Sequence, residues 1–139
     1  MSGKAIFLDT NIIIYAYSVD NAEKRRIARS MIESEHAIIS AQVLNEYCNT
    51  TRRKYPLMFD RVEETLRELS ELVEIRDLTQ SISQHAVRLT RRYGYSFYDC
   101  LIVASALAAE CTVLVSEDMQ DGMVIDERLR IANPFIPSS

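Results

Sequence analysis

The stretch Ala5-Ile6-Phe7-Leu8-Asp9-Thr10-Asn11 decides the fold. Four apolar residues run straight into an aspartate, a threonine and an asparagine. Ala5 to Leu8 is too apolar for a surface and too short for a helix, so it predicts a buried central strand of a parallel sheet. Sites in open α/β sheets form beyond the carboxyl ends of such strands, where Asp9 stands.

The stretch that follows, Ile12-Ile13-Ile14-Tyr15, is ambiguous by periodicity alone, because β-branched runs suit strands. Thr10 and Asn11 interrupt the apolar run and favour a short helix starting there. Asp20 with Glu23 makes a capping-box pattern for a second helix over about 21–34. Ala37-Ile38-Ile39 reads as a second buried strand closed by Ser40. A helix over about 41–53 follows, stopped by Pro56, and another over about 60–72. Val73-Glu74-Ile75 predicts a short edge strand. Thr79 caps a helix that Gly94 ends, and Ser96 caps an almost wholly apolar helix over 97–109. Thr112-Val113-Leu114-Val115 is another buried strand, closed by Ser116-Glu117-Asp118. Short extended pieces at Val124-Ile125 and Leu129-Ile131 precede Asn133-Pro134. Strands alternating with helices predict a parallel α/β sheet with right-handed crossovers.

At 139 residues the chain reads as one domain with a full core. Its formal net charge of −4 provides no global field to attract nucleic acid, which leaves that role to local basic clusters. Met1-Ser2-Gly3-Lys4 opens no secretory signal, and the longest apolar stretch is too short to span a bilayer. Cys48, Cys100 and Cys111 are odd in number and lack paired zinc-site spacing, so they read as reduced core residues of a cytoplasmic protein. With three glycines in the chain, neither a G-x-x-x-x-G-K phosphate loop nor a G-x-G-x-x-G fingerprint exists.

Four acids occupy telling places. Asp9 and Asp118 each follow an apolar strand, Asp99 lies in the first turn of the apolar helix, and Glu46 sits one turn inside the helix after the second strand. Taken singly, each has a plain structural reading. Asp9 caps a helix, Asp99 completes a capping box with Ser96, Asp118 makes a turn, and Glu46 is solvated. Taken together, they repel in one cleft unless some stay protonated or a hard divalent cation relieves the charge. Mg²⁺ or Mn²⁺ prefers oxygen ligands and turns water into a nucleophile for displacement at phosphorus.

Leu8-Asp9-Thr10-Asn11 resembles the opening motif of PIN-domain nucleases. Ser40-Ala41-Gln42-Val43-Leu44-Asn45-Glu46 resembles the segment with that family's glutamate. Tyr98-Asp99-Cys100-Leu101-Ile102-Val103-Ala104-Ser105-Ala106 resembles its third acidic motif, and Ser116-Glu117-Asp118-Met119-Gln120-Asp121-Gly122 its fourth. All four occur in family order across nearly the whole chain, closest to VapC-like toxins of toxin–antitoxin pairs. The resemblance implies a three-layer α/β/α fold with a central parallel sheet. It implies a Mg²⁺- or Mn²⁺-dependent endoribonuclease, usually a homodimer, acting on an RNA substrate and inhibited by a small antitoxin protein. It makes Asp9, Glu46, Asp99 and Asp118 the metal-site carboxylates. Asn11 and Ser116 become supporting residues that orient carboxylates or bind phosphate. Asp121 either supports the site or serves the turn into Gly122. Arg52 and Arg53, continuing the Glu46 helix, are the favoured RNA-phosphate contacts.

Two alternatives stand beside this reading. A haloacid-dehalogenase-like phosphatase also places an aspartate after its first strand, yet its second aspartate is Asn11 here. A non-catalytic PIN-fold regulator would bind RNA or protein without cutting.

Overall fold

Ile6–Leu8 forms β1 in the computed structural model, which describes residues 4–137. The opening Met1–Gly3, read above as carrying no secretory signal, lies outside the described residues. From β1 the chain enters α1 (Thr10–Tyr17) and α2 (Ala22–Ile32), then β2 (Ala37–Ser40) and α3 (Ala41–Lys54). It continues through α4 (Pro56–Phe59), α5 (Val62–Leu72), β3 (Glu74–Arg76), α6 (Gln80–Tyr93) and α7 (Phe97–Ala108). The last strands are β4 (Val113–Val115), β5 (Val124–Ile125) and β6 (Leu129–Ala132).

The strands join in one sheet ordered β3-β2-β1-β4-β6-β5. All neighbours are parallel except β5 and β6, which form an antiparallel pair. The architecture is the expected three-layer α/β/α arrangement around a parallel-dominated sheet. β1 lies in the middle, with Phe7 beside Ile38 on one side and Leu114 on the other. All three side chains are fully enclosed, as the uninterrupted apolar run requires. β3 takes the edge, where its alternating exposed, half-buried, exposed pattern fits a strand paired on one side.

Helix α7 is buried at every position from Cys100 to Leu107. A helix without a polar face must be covered all round, and α7 lies against β2, β4 and α6. Thr79 and Ser96 cap α6 and α7 as expected, and Gly94 ends α6 at φ 75°. The cap of α2 is Asn21 rather than Asp20: the Asn21 carboxamide accepts from the Lys24 N–H. Pro56 does not merely follow α3; it opens α4, where its missing N–H costs nothing. The three cysteines are free, with Cys100 and Cys111 buried. Burial pushes the Cys111 thiol up to about 12, which keeps it inert. No helix among the described residues is long and apolar enough to cross a membrane.

Candidate active site

β1 and β4 lie side by side as parallel neighbours, and the strand order runs outward in opposite directions from this seam. The chain leaves β1 towards β2 on one flank and β4 joins the other, which makes the seam a topological switch point. The Asp9 N–H donates to the Val115 carbonyl at 3.0 Å, so the two strand ends are locked in register. Asp9 is also the N-cap of α1, accepting from the Thr10 N–H at 2.8 Å. Capping and site membership are therefore compatible in one residue.

The first turn of α1 then reaches in two directions. The Thr10 hydroxyl donates to Glu46 Oε1 at 2.6 Å, and the Asn11 amide donates to Asp118 Oδ2 at 2.7 Å. From the β4 side, the fully buried Ser116 hydroxyl donates to Asp9 Oδ2 at 2.8 Å. It also accepts from the Met119 N–H, which shapes the turn that carries Asp118. Asp99 stands in the first turn of α7, its N–H donating to the Ser96 hydroxyl at 3.2 Å. Glu46 receives a second bond on Oε2, from Gln42 one turn earlier on α3.

Asp9 feels the charges of Glu46 and Asp99, and Asp99 those of Asp118 and Glu46. Asp9 is raised from 3.8 to about 6, chiefly by burial and also by the charges of Glu46 and Asp99, against the pull of the Thr10 N–H and the Ser116 hydroxyl. Burial also raises Asp99, opposed by the Ser96 hydroxyl and reinforced by Asp118 and Glu46. Such a cluster is costly to ionise without a cation. Among the described residues, no three His, Cys, Asp or Glu side chains are drawn together tightly enough to grip one ion. Each carboxylate of Asp9, Glu46 and Asp118 is instead held by a donor from its own surroundings. The donor set is oxygen throughout, and a carboxylate has about four acceptor positions, so these bonds leave lone pairs for a hard cation.

Asn11 and Ser116 thus each donate to a carboxylate, those of Asp118 and Asp9. Asp121 does not join them. Its carboxylate accepts from the Asn133 N–H at 2.8 Å and ties the turn before Gly122 to the end of β6. Arg52 and Arg53 are exposed on the last turn of α3, about 9 Å along the helix axis from Glu46, and the Arg52 guanidinium lies 5.7 Å from the Phe59 ring centre.

Two residues that grip Glu46, Thr10 and Gln42, were not singled out from the sequence. Thr10 lay inside the deciding stretch, and Gln42 precedes Glu46 by four, the spacing that puts both on one helix face. A third group had no local signal. Glu117, beside Asp118, accepts from the Tyr15 hydroxyl at 2.7 Å and from Lys24 Nζ at 2.5 Å. Lys24 also lies over the rings of Tyr15 and Phe135, at 4.5 and 5.1 Å from their centres.

The PIN-domain family model matches residues 6–120. The chain belongs to the PIN-domain family. That match spans β1 to the turn after β4 and includes all four carboxylates. Among curated proteins none matches the chain. Solved structures of similar fold include VapC, VapBC and FitAB proteins and a toxin–antitoxin complex. One is described as a toxin–antitoxin complex from Klebsiella pneumoniae, with 23% identity and a TM-score of 0.73, covering 94% of this chain and 98% of that one. VapC20 of Mycobacterium tuberculosis, described as a sarcin–ricin loop cleaving toxin, is 19% identical with a TM-score of 0.67, covering 81% and 89%. VapBC2 from Rickettsia felis, bound to a DNA fragment from its promoter, is 19% identical with a TM-score of 0.67, covering 93% and 99%. At these identities the likeness is one of fold. PIN membership sets aside the phosphatase alternative.

Proposed function

We propose that this single PIN domain is a metal-dependent endoribonuclease, the toxin of a type II toxin–antitoxin pair, working in the cytoplasm. The observation that carries the reading is the seam between β1 and β4. There Thr10, Asn11 and Ser116 donate to Glu46, Asp118 and Asp9, and Asp99 feels the charges of Asp118 and Glu46. Asp9, Glu46, Asp99 and Asp118 would hold Mg²⁺ or Mn²⁺, because they offer oxygen donors and a charge that needs neutralising. The cation would supply Lewis-acid activation of water and of the phosphodiester.

The chain's own residues supply the rest. Asp9 and Asp99, raised by burial, favour a bound cation over two uncompensated charges. The Thr10 and Ser116 hydroxyls fix carboxylate rotamers before any ligand arrives, which removes reorganisation from the reaction. Arg52 and Arg53 would meet RNA phosphates away from the reacting bond, positioning the strand without reading its sequence. A small antitoxin protein and a second copy of the chain are the partners this reading entails.

The test is cleavage of a labelled structured RNA pool, such as total tRNA, by wild type and Asp99→Asn, with Mn²⁺ and with EDTA. Metal-dependent cutting by wild type alone is expected. Cutting that persists undiminished in Asp99→Asn or in EDTA overturns the assignment. Absence of cutting together with no Mn²⁺-dependent rise in melting temperature makes the domain a binding regulator instead.

A further inference from the structure

Gln42 is a polar side chain with 6% exposure. Its Nε2 donates to Glu46 Oε2 at 3.2 Å and to the Tyr98 carbonyl at 3.1 Å. Both partners are acceptors only, so they dictate which end of the amide faces them. The other end, Oε1, is left buried without a partner. A buried carbonyl oxygen without a donor destabilises the fold, and an apolar side chain of the same length would avoid that cost. The position therefore retains its amide for what Nε2 does.

Among the described residues, no other side-chain hydrogen bond joins the two elements that Nε2 links. Glu46 is on α3, and Tyr98 immediately precedes Asp99 on α7. Glu46 has a long, flexible side chain, and Thr10 pins only one of its oxygens. Gln42 pins the other and ties it to the backbone that carries Asp99.

We propose that Gln42 is a positioning residue that sets the spacing between Glu46 and Asp99 for a divalent cation. This rests on the metal-site reading above. It predicts that tight metal binding and metal-free stability pull in opposite directions at this position. Gln42→Met keeps the length, removes the orphaned oxygen and loses both donated bonds. Outer-shell partners of metal ligands contribute about 10- to 100-fold in affinity, which is the weakening expected for Mn²⁺.

The experiment follows melting temperature during Mn²⁺ titration of wild type, Gln42→Met and Gln42→Leu, each also melted in EDTA. Expected are an EDTA melting temperature for Gln42→Met at or above that of wild type, and an apparent Mn²⁺ dissociation constant at least about tenfold larger. Gln42→Leu, shorter and leaving a gap, should show the same weakened affinity whatever its melting temperature. Wild-type Mn²⁺ affinity in both variants overturns the proposal. So does an EDTA melting temperature for Gln42→Met well below wild type, because the amide would then serve the fold. If wild type itself gains nothing from Mn²⁺, the metal-site reading fails, and that outcome is read from the wild-type titration alone.

Discussion

Asp9→Asn should change how stability depends on pH in a direction opposite to that of an ordinary ion-paired aspartate. The folded protein holds Asp9 at about 6 against an ordinary value of 3.8, chiefly through burial. The neutral form therefore suits the fold better. Its contribution is fully present below pH 3.8 and is lost as pH rises through about 6. At about 1.4 kcal/mol per pKa unit, the full effect is about 3 kcal/mol, of which about 2–3 kcal/mol falls between pH 4 and pH 8. Asparagine has no such titration, and its amide oxygen can still accept from the Thr10 N–H. Urea unfolding of both proteins in EDTA, at matched concentration and at several pH values, measures the difference. With a slope of about 1–3 kcal/mol per molar urea, the midpoint gap between Asp9→Asn and wild type should widen by about 1–3 M from acid to alkaline pH. A gap that stays constant over that range refutes the argument that burial strains the Asp9 charge. Saturating Mn²⁺ at pH 8 should favour wild type alone, since only wild type keeps the full carboxylate set.

Removing the hydroxyl in Ser116→Ala takes a donor from Asp9, so the pH at which metal-free stability falls should move upward, read from the same urea series. The loss of a buried hydrogen bond should also cost about 1–2 kcal/mol at acid pH. A double-mutant cycle of Lys24→Met and Glu117→Gln should return a coupling of about 1 kcal/mol, since the pair is only partly buried; a value of zero would show that the Glu117 turn is held by other contacts. Gly94→Ala meets open space, yet at φ 75° it should lower stability by about 1 kcal/mol through backbone strain alone, seen as a few degrees in melting temperature.

Most of the fold was legible because its signals are local. An apolar run closing on Asp9, caps at Thr79 and Ser96, and a glycine at the end of α6 each act within a few residues. The β5–β6 pair is antiparallel where a parallel sheet was expected, because its strands are joined by a tight turn with Asp126 and Glu127 at positive φ rather than by a crossover helix. The four acids stood out only as a set, by motif and order, since each taken singly had a plain structural reading. How they are held could not be read that way. The Ser116–Asp9, Asn11–Asp118 and Lys24–Glu117 bonds join residues remote in sequence, and only the assembled sheet brings them within reach. Asp121 shows the converse: an acid in the right motif whose carboxylate is taken by the nearby Asn133 backbone.

The strand order β3-β2-β1-β4-β6-β5 also divides the molecule in a way that follows the chain. The chain up to Gly94 supplies β3, β2 and β1 and contributes Asp9 and Glu46; the chain after it supplies β4, β6 and β5, sends α7 back against β2 and α6, and contributes Asp99 and Asp118. Across the seam between these two sets of strands Ser116 meets Asp9 and Asn11 meets Asp118. A protein cut at the exposed Gly94 turn would yield two fragments, each with an incomplete set of acids. Their reunion, whether spontaneous or forced by fused partners, would report itself as restored function. The topology thus offers a natural division point for a conditional, two-piece version of the domain.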